Sequence, residues 1–129
     1  MRAQTALVLI VLAVVGLAAA GDQASPGLNR VMREKLTHSQ AILGAVVTSD
    51  WRTLDRESRA LAQAVRDPAW QNLTAPEYMR QSDAFQKALQ QLIEASNRRD
   101  LDLASESELA LTRSCVDCHR YVARRRVAQ

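Results

Sequence analysis

The chain has 129 residues, with 17 Lys+Arg against 14 Asp+Glu, two cysteines and five aromatic side chains: Trp51, Trp70, Tyr78, Phe85 and Tyr121. That length sets one domain as the upper limit, and 47% hydrophobic residues with four Gly and three Pro exclude both a disordered chain and a turn-rich all-β domain. An aromatic share of 4% is low for a chain that must fill a small core from its own side chains, since Phe, Tyr and Trp normally supply much of that area.

Met1 and Arg2 precede a run of small and apolar residues over 6–20, closing in Ala18-Ala19-Ala20 before Gly21. This is the pattern of a secretory signal peptide with an A-x-A cleavage site. Fifteen residues fall short of the roughly 20 a spanning helix needs. Cleavage, export to the periplasm and no stable membrane insertion afterwards are therefore expected, leaving residues 21–129 as one domain. That remainder keeps 16 basic and all 14 acidic groups, about +2. It carries no basic cluster interleaved with aromatics, so no nucleic-acid partner is expected. Export also puts both cysteines where disulfides can form.

Four helical stretches follow in order. Ser25-Pro26 supplies a cap and a proline suited to a first turn, and Leu28, Met32, Leu36 (or Lys35), Ser39, Leu43 and Val46 recur at three- and four-residue spacing, predicting a helix over about 26–48. Asp50 can cap a second, with Trp51, Leu54, Ser58, Leu61 and Val65 on one stripe until Asp67-Pro68 stops it. Residues 67–76 are expected to form the longest loop. Thr74-Ala75-Pro76-Glu77 has the form of a capping box, opening a third helix along Tyr78, Ser82, Phe85, Leu89, Leu92 and Ser96 and stopping near Asn97-Arg98-Arg99. Asp100 or Asp102 starts a fourth, carrying Leu101, Ala104, Leu111, Cys115, Cys118 and Val122 into Arg124-Arg125-Arg126. No strand pattern is present. An all-α, antiparallel four-helix bundle is the economical arrangement, yet serines at core-phase positions and abundant alanine leave its interior thinly filled.

Cys115-Val116-Asp117-Cys118-His119 is C-x-x-C-H, the pattern for covalent attachment of one c-type haem. Each thiol adds across a haem vinyl group, and the histidine becomes the proximal iron ligand. At three- and four-residue spacing on a helix, all three side chains project from one side and can grip one flat ring. Two other readings compete. A thioredoxin-like C-x-x-C belongs at a strand-to-helix junction, which an all-helical chain lacks. Zinc needs about four ligands, and distant His38 is the only other Cys or His in the chain.

A C-x-x-C-H near the C-terminus of a four-helix exported chain resembles the cytochrome c′ family, the class II c-type cytochromes; class I members carry the motif near the N-terminus. The likeness covers most of residues 26–126 in architecture, and its one specific motif is residues 115–119. It implies a haem among the helices, propionates toward the surface, and a distal residue on the first helix. A ligating methionine there gives a six-coordinate electron carrier, and a non-ligating side chain gives five-coordinate iron that binds NO or CO. Redox partner proteins and the haem-attachment machinery are the implied partners, and pairing through the first two helices leaves room for a homodimer.

At about 100° per residue, with Met32 at zero, Leu36 falls near 40°, Ser39 near 340°, Leu43 near 20° and His38 near 240°. Met32 thus lies on the inward stripe and is the preferred distal candidate, His38 lies on a flank, and Met79 leans off the apolar stripe of its own helix. The family's arginine stands four residues before the distal position, whereas Arg30 and Arg33 stand two before and one after Met32. Arg124, five beyond His119, resembles the basic residue that follows the motif in the family and is a candidate propionate partner. The expected function is single-electron transfer through a His119/Met32-ligated haem, with no enzyme activity of its own; the alternative is a five-coordinate gas-binding protein.

Overall fold

A computed structural model describes residues 26–127, and the chain there is all-helical. Helix α1 spans Pro26–Thr48, α2 Trp51–Ala64, α3 Pro68–Gln71, α4 Pro76–Arg98 and α5 Leu101–Val127. The expected signal peptide, residues 1–20, lies outside the described residues. No helix among the described residues is long and apolar enough to cross a membrane.

One local device makes both sharp turns between long helices. Ser49 (φ 54°) and Arg99 (φ 53°) adopt the left-handed conformation, which releases the next amide back onto the helix just ended: Asp50 N–H donates to the Ala45 carbonyl at 2.9 Å and Asp100 N–H to the Ala95 carbonyl at 3.0 Å. These are Schellman closures. Each aspartate then caps the following helix, Asp50 Oδ1 accepting from the Thr53 amide at 3.1 Å and Asp100 Oδ1 from the Leu103 amide at 3.0 Å. A left-handed L-residue carries a steric cost that glycine does not. Ser49→Gly is therefore expected to raise stability by about 1 kcal/mol, read from the urea midpoint at unchanged slope.

The segment expected to be the longest loop instead contains α3. Helix α2 ends at Ala64, short of the anticipated stop at Asp67-Pro68, and that pair starts a helix: Asp67 Oδ1 accepts from the Ala69 amide at 2.8 Å, and Pro68 sits in the first turn. The expected capping box at Thr74 does not form. The cap position of α4 is Ala75, one residue later, whose methyl side chain can make no such bond, and the Glu77 carboxylate is held by Arg80 and by Gln81, whose Nε2 donates to Oε1 at 2.8 Å.

The long helices pack α1 on α2, α2 on α4, α4 on α5, and α5 back on α1, with α3 against α1. Their shared interior holds Ile42, Leu54, Leu61, Leu89, Leu92 and Leu111, each at most 1% exposed. Ser58 and Ser96 are buried in it, as the thin stripes foretold. The phase of α1 differs from expectation. Leu36 and Leu43 are 59% and 48% exposed, while Val31, Lys35, Ile42 and Ala45 face inward; Leu101 on α5 is exposed as well. Apolar residues stand side by side at 31/32, 42/43 and 46/47, so two stripes one residue apart are nearly equal in hydrophobicity. Packing against α2 and α5 selects the earlier one, and Met32, Leu36 and Ser39 become its edge.

Candidate haem site

That edge of α1 forms one wall of a cleft of about 500 Å³, within the range of pockets that take whole cofactors. Trp70 of α3, Gln81 and Phe85 of α4, and Thr112, Ser114, Cys115, Val116, Cys118 and His119 of α5 complete it. The sequence pair Met32 and Cys115-x-x-Cys118-His119 is thus brought to a single cavity. Cys115 is half-buried, Cys118 buried and His119 exposed, and neither cysteine is bridged. Burial pushes the Cys118 thiol above its ordinary range.

Each wall is fixed by contacts outside the cleft. Arg30 pairs with Asp67, tying α1 to the cap of α3, and a Cβ at Gly27 would meet the Ala69 Cβ at 3.1 Å, so the two helices approach closely there. These contacts hold Trp70, whose Nε1 donates to Ser82 Oγ at 3.2 Å. Within the motif, Asp117 turns away to Arg120 at 3.2 Å and Arg113 at 3.6 Å, leaving its flanking cysteines to face inward. Beyond the motif, Tyr121 meets Tyr78 edge to face at 5.4 Å and joins α5 to the start of α4.

The other candidates separate cleanly. His38 is outside the cleft lining; its Nδ1 is 2.8 Å from Glu57 Oε2, and this hydrogen bond is the main cause of Glu57 standing below the usual carboxylate range. Met79 is 56% exposed and borders a different, smaller cavity. Arg124 is exposed on α5 and contributes nothing to the cleft wall, whereas Arg33 lines it.

Lys35 is the residue that sequence patterning undervalued. It is 8% exposed, and its Nζ lies 3.8 Å from the ring centre of Trp70 and 3.9 Å from that of Phe85. Burial brings its pKa down to about 8, against the opposing pull of the Cys115 and Cys118 thiols. A lysine inside an otherwise apolar stripe at α1 was the available signal, offered by the sequence as the alternative to Leu36.

These features suit a large, flat, mostly apolar cofactor. Leu36 and Val116, exposed at 59% and 48%, both border the cleft, and Ser39 Oγ, also on its wall, is buried without a hydrogen-bond partner. Covering the apolar pair and giving partners to buried polar atoms are what a bound group accomplishes. Among the described residues no three His, Cys, Asp or Glu side chains converge as ligands of a single ion. Haem attachment does not need such convergence: two thiols meet the ring's edge and one imidazole its centre. No family model, curated protein or solved structure matches the chain.

Proposed function

We propose that this chain is an exported monohaem c-type cytochrome of the cytochrome c′ type, an antiparallel four-helix bundle that carries single electrons and is not itself an enzyme. The observation carrying this reading is that Cys115, Cys118, His119 and Met32, from opposite ends of the sequence, line one apolar cleft of about 500 Å³. Bound haem supplies the one-electron couple of its iron. The chain's own residues do the rest. Cys115 and Cys118 would hold the group through thioethers, and His119 would offer its imidazole to the iron. Met32 faces the cleft from α1 as the distal candidate, with Trp70 and Phe85 excluding water. Redox proteins and the haem-attachment machinery are its partners.

Met32 and Lys35, two potential donors that line the cleft from α1, favour a filled distal position over the five-coordinate, gas-binding alternative. The test is expression with the haem-attachment machinery followed by a denatured pyridine haemochrome. A covalent c-type signal is expected in the native chain and none in Cys115→Ser/Cys118→Ser; a native chain without that signal overturns the reading. In the reduced protein, Met32→Ala is expected to convert low-spin iron to high-spin iron that takes up CO.

A further inference from the structure

We infer that Lys35 supplies the distal ligand of the oxidised iron, its amine taking the position that Met32 holds in the reduced protein. This rests on the haem reading above. The geometry carries it: a side chain only 8% exposed lines the cleft with its nitrogen 3.8 and 3.9 Å from two aromatic ring centres. Lys35 and Met32, three residues apart on α1, both face the same cavity.

What the Lys35 nitrogen meets in the cleft is the faces of Trp70 and Phe85. No carboxylate among the described residues pairs with Lys35. Two ring faces compensate a buried ammonium only in part, and ferric iron beside it would repel it; a neutral amine bonded to that iron escapes that cost. Its depressed pKa places the neutral form within easy reach. Amine nitrogen is also the harder donor and suits ferric iron, whereas the soft thioether of Met32 suits ferrous iron.

The experiment is optical and electron paramagnetic resonance spectroscopy of the oxidised holoprotein, beside Lys35→Arg, Lys35→Gln and Met32→Ala, each with a pyridine haemochrome to count attached haem. Arginine retains the positive charge and the stacking but cannot release a proton to bind metal. The expected result is low-spin ferric iron lacking a methionine–iron charge-transfer band in the native protein. That state persists in Met32→Ala and is lost in both Lys35 variants at full haem content. A methionine–iron charge-transfer band in the oxidised native protein, or low-spin iron retained in Lys35→Arg, overturns the inference and leaves the haem reading intact. Absent covalent haem instead overturns the reading beneath it. The native-protein spectrum decides the question even if a Lys35 variant fails to fold.

Discussion

Haem-free protein, made as Cys115→Ser/Cys118→Ser, is expected to fold throughout, with one half held firmly and the other, at the cleft, opening readily. The firm half is the interior around Ile42, Leu54, Leu61, Leu89, Leu92 and Leu111, whose side chains are at most 1% exposed. Fully burying one such side chain is worth about 1.5–3 kcal/mol, enough for a closely packed block spanning all four long helices. The cleft end is filled more thinly: Val31, Trp70 and Phe85 are buried there, but Leu36 and Val116 are exposed, Ser39 Oγ is unpartnered, and Lys35 is buried among rings. Native-state hydrogen exchange should show slow amides at residues 54–61 and 89–92, and fast ones over 26–36, through α3, and over 112–122. Attached haem should slow the second set by at least 100-fold, which is about 2.7 kcal/mol of local stability at 25 °C. Uniform protection in both forms would mean that the cleft end does not depend on a cofactor.

That division refines what composition suggests. Few aromatics and many small residues point to an underfilled interior, and the deficit is real, but it is confined to one end. Trp70 and Phe85 stand at that end and line the cleft, while the aliphatic residues complete the other.

Helix positions were legible because their signals are local. Asp50 and Asp100 announce caps, Pro26 and Pro76 announce first turns, and the helices begin there. The Asp67-Pro68 pair reads as a stop in the sequence, although it equally starts α3. Side chains on α1 were harder, because neighbouring apolar pairs at 31/32 and 42/43 make two phases equivalent until α2 and α5 are in place. For the site, the five-residue motif and Met32 were legible from spacing, and the wheel's preference for Met32 over His38 agrees with which of them lines the cleft. Lys35 was nearly invisible: a cation at a stripe position reads as an error of phase, and only the packed rings of Trp70 and Phe85 show why it is tolerated.

Lys35→Met in the same haem-free background is expected to be the largest stabilising substitution. Methionine keeps the length and flexibility of the side chain and removes the buried charge. In the folded chain with its cysteines the lysine pKa falls from 10.5 to about 8, and replacing Cys115 and Cys118 removes the two influences that oppose that fall, so the folded value is no higher there. Every tenfold loss of proton affinity on folding corresponds to about 1.4 kcal/mol, so charged Lys35 destabilises the fold by about 3 kcal/mol at pH 7. The sign follows from proton counting. Between pH 8 and 10.5 the unfolded chain holds a proton that the folded chain has released, so stability rises with pH across that window. Well below the folded value both states are protonated and the penalty is constant; above 10.5 both are neutral and the penalty is gone. Replacing the cysteines matters here, because the Cys118 thiol, raised by burial from an ordinary value of 9.0, gives a contribution of the opposite slope above that pH. Urea unfolding at about pH 7 and about pH 9.5 should therefore show Lys35→Met well above its parent at the lower pH and much closer at the higher one. A gap that does not narrow would show that Lys35 keeps its proton throughout, held by its two aromatic rings.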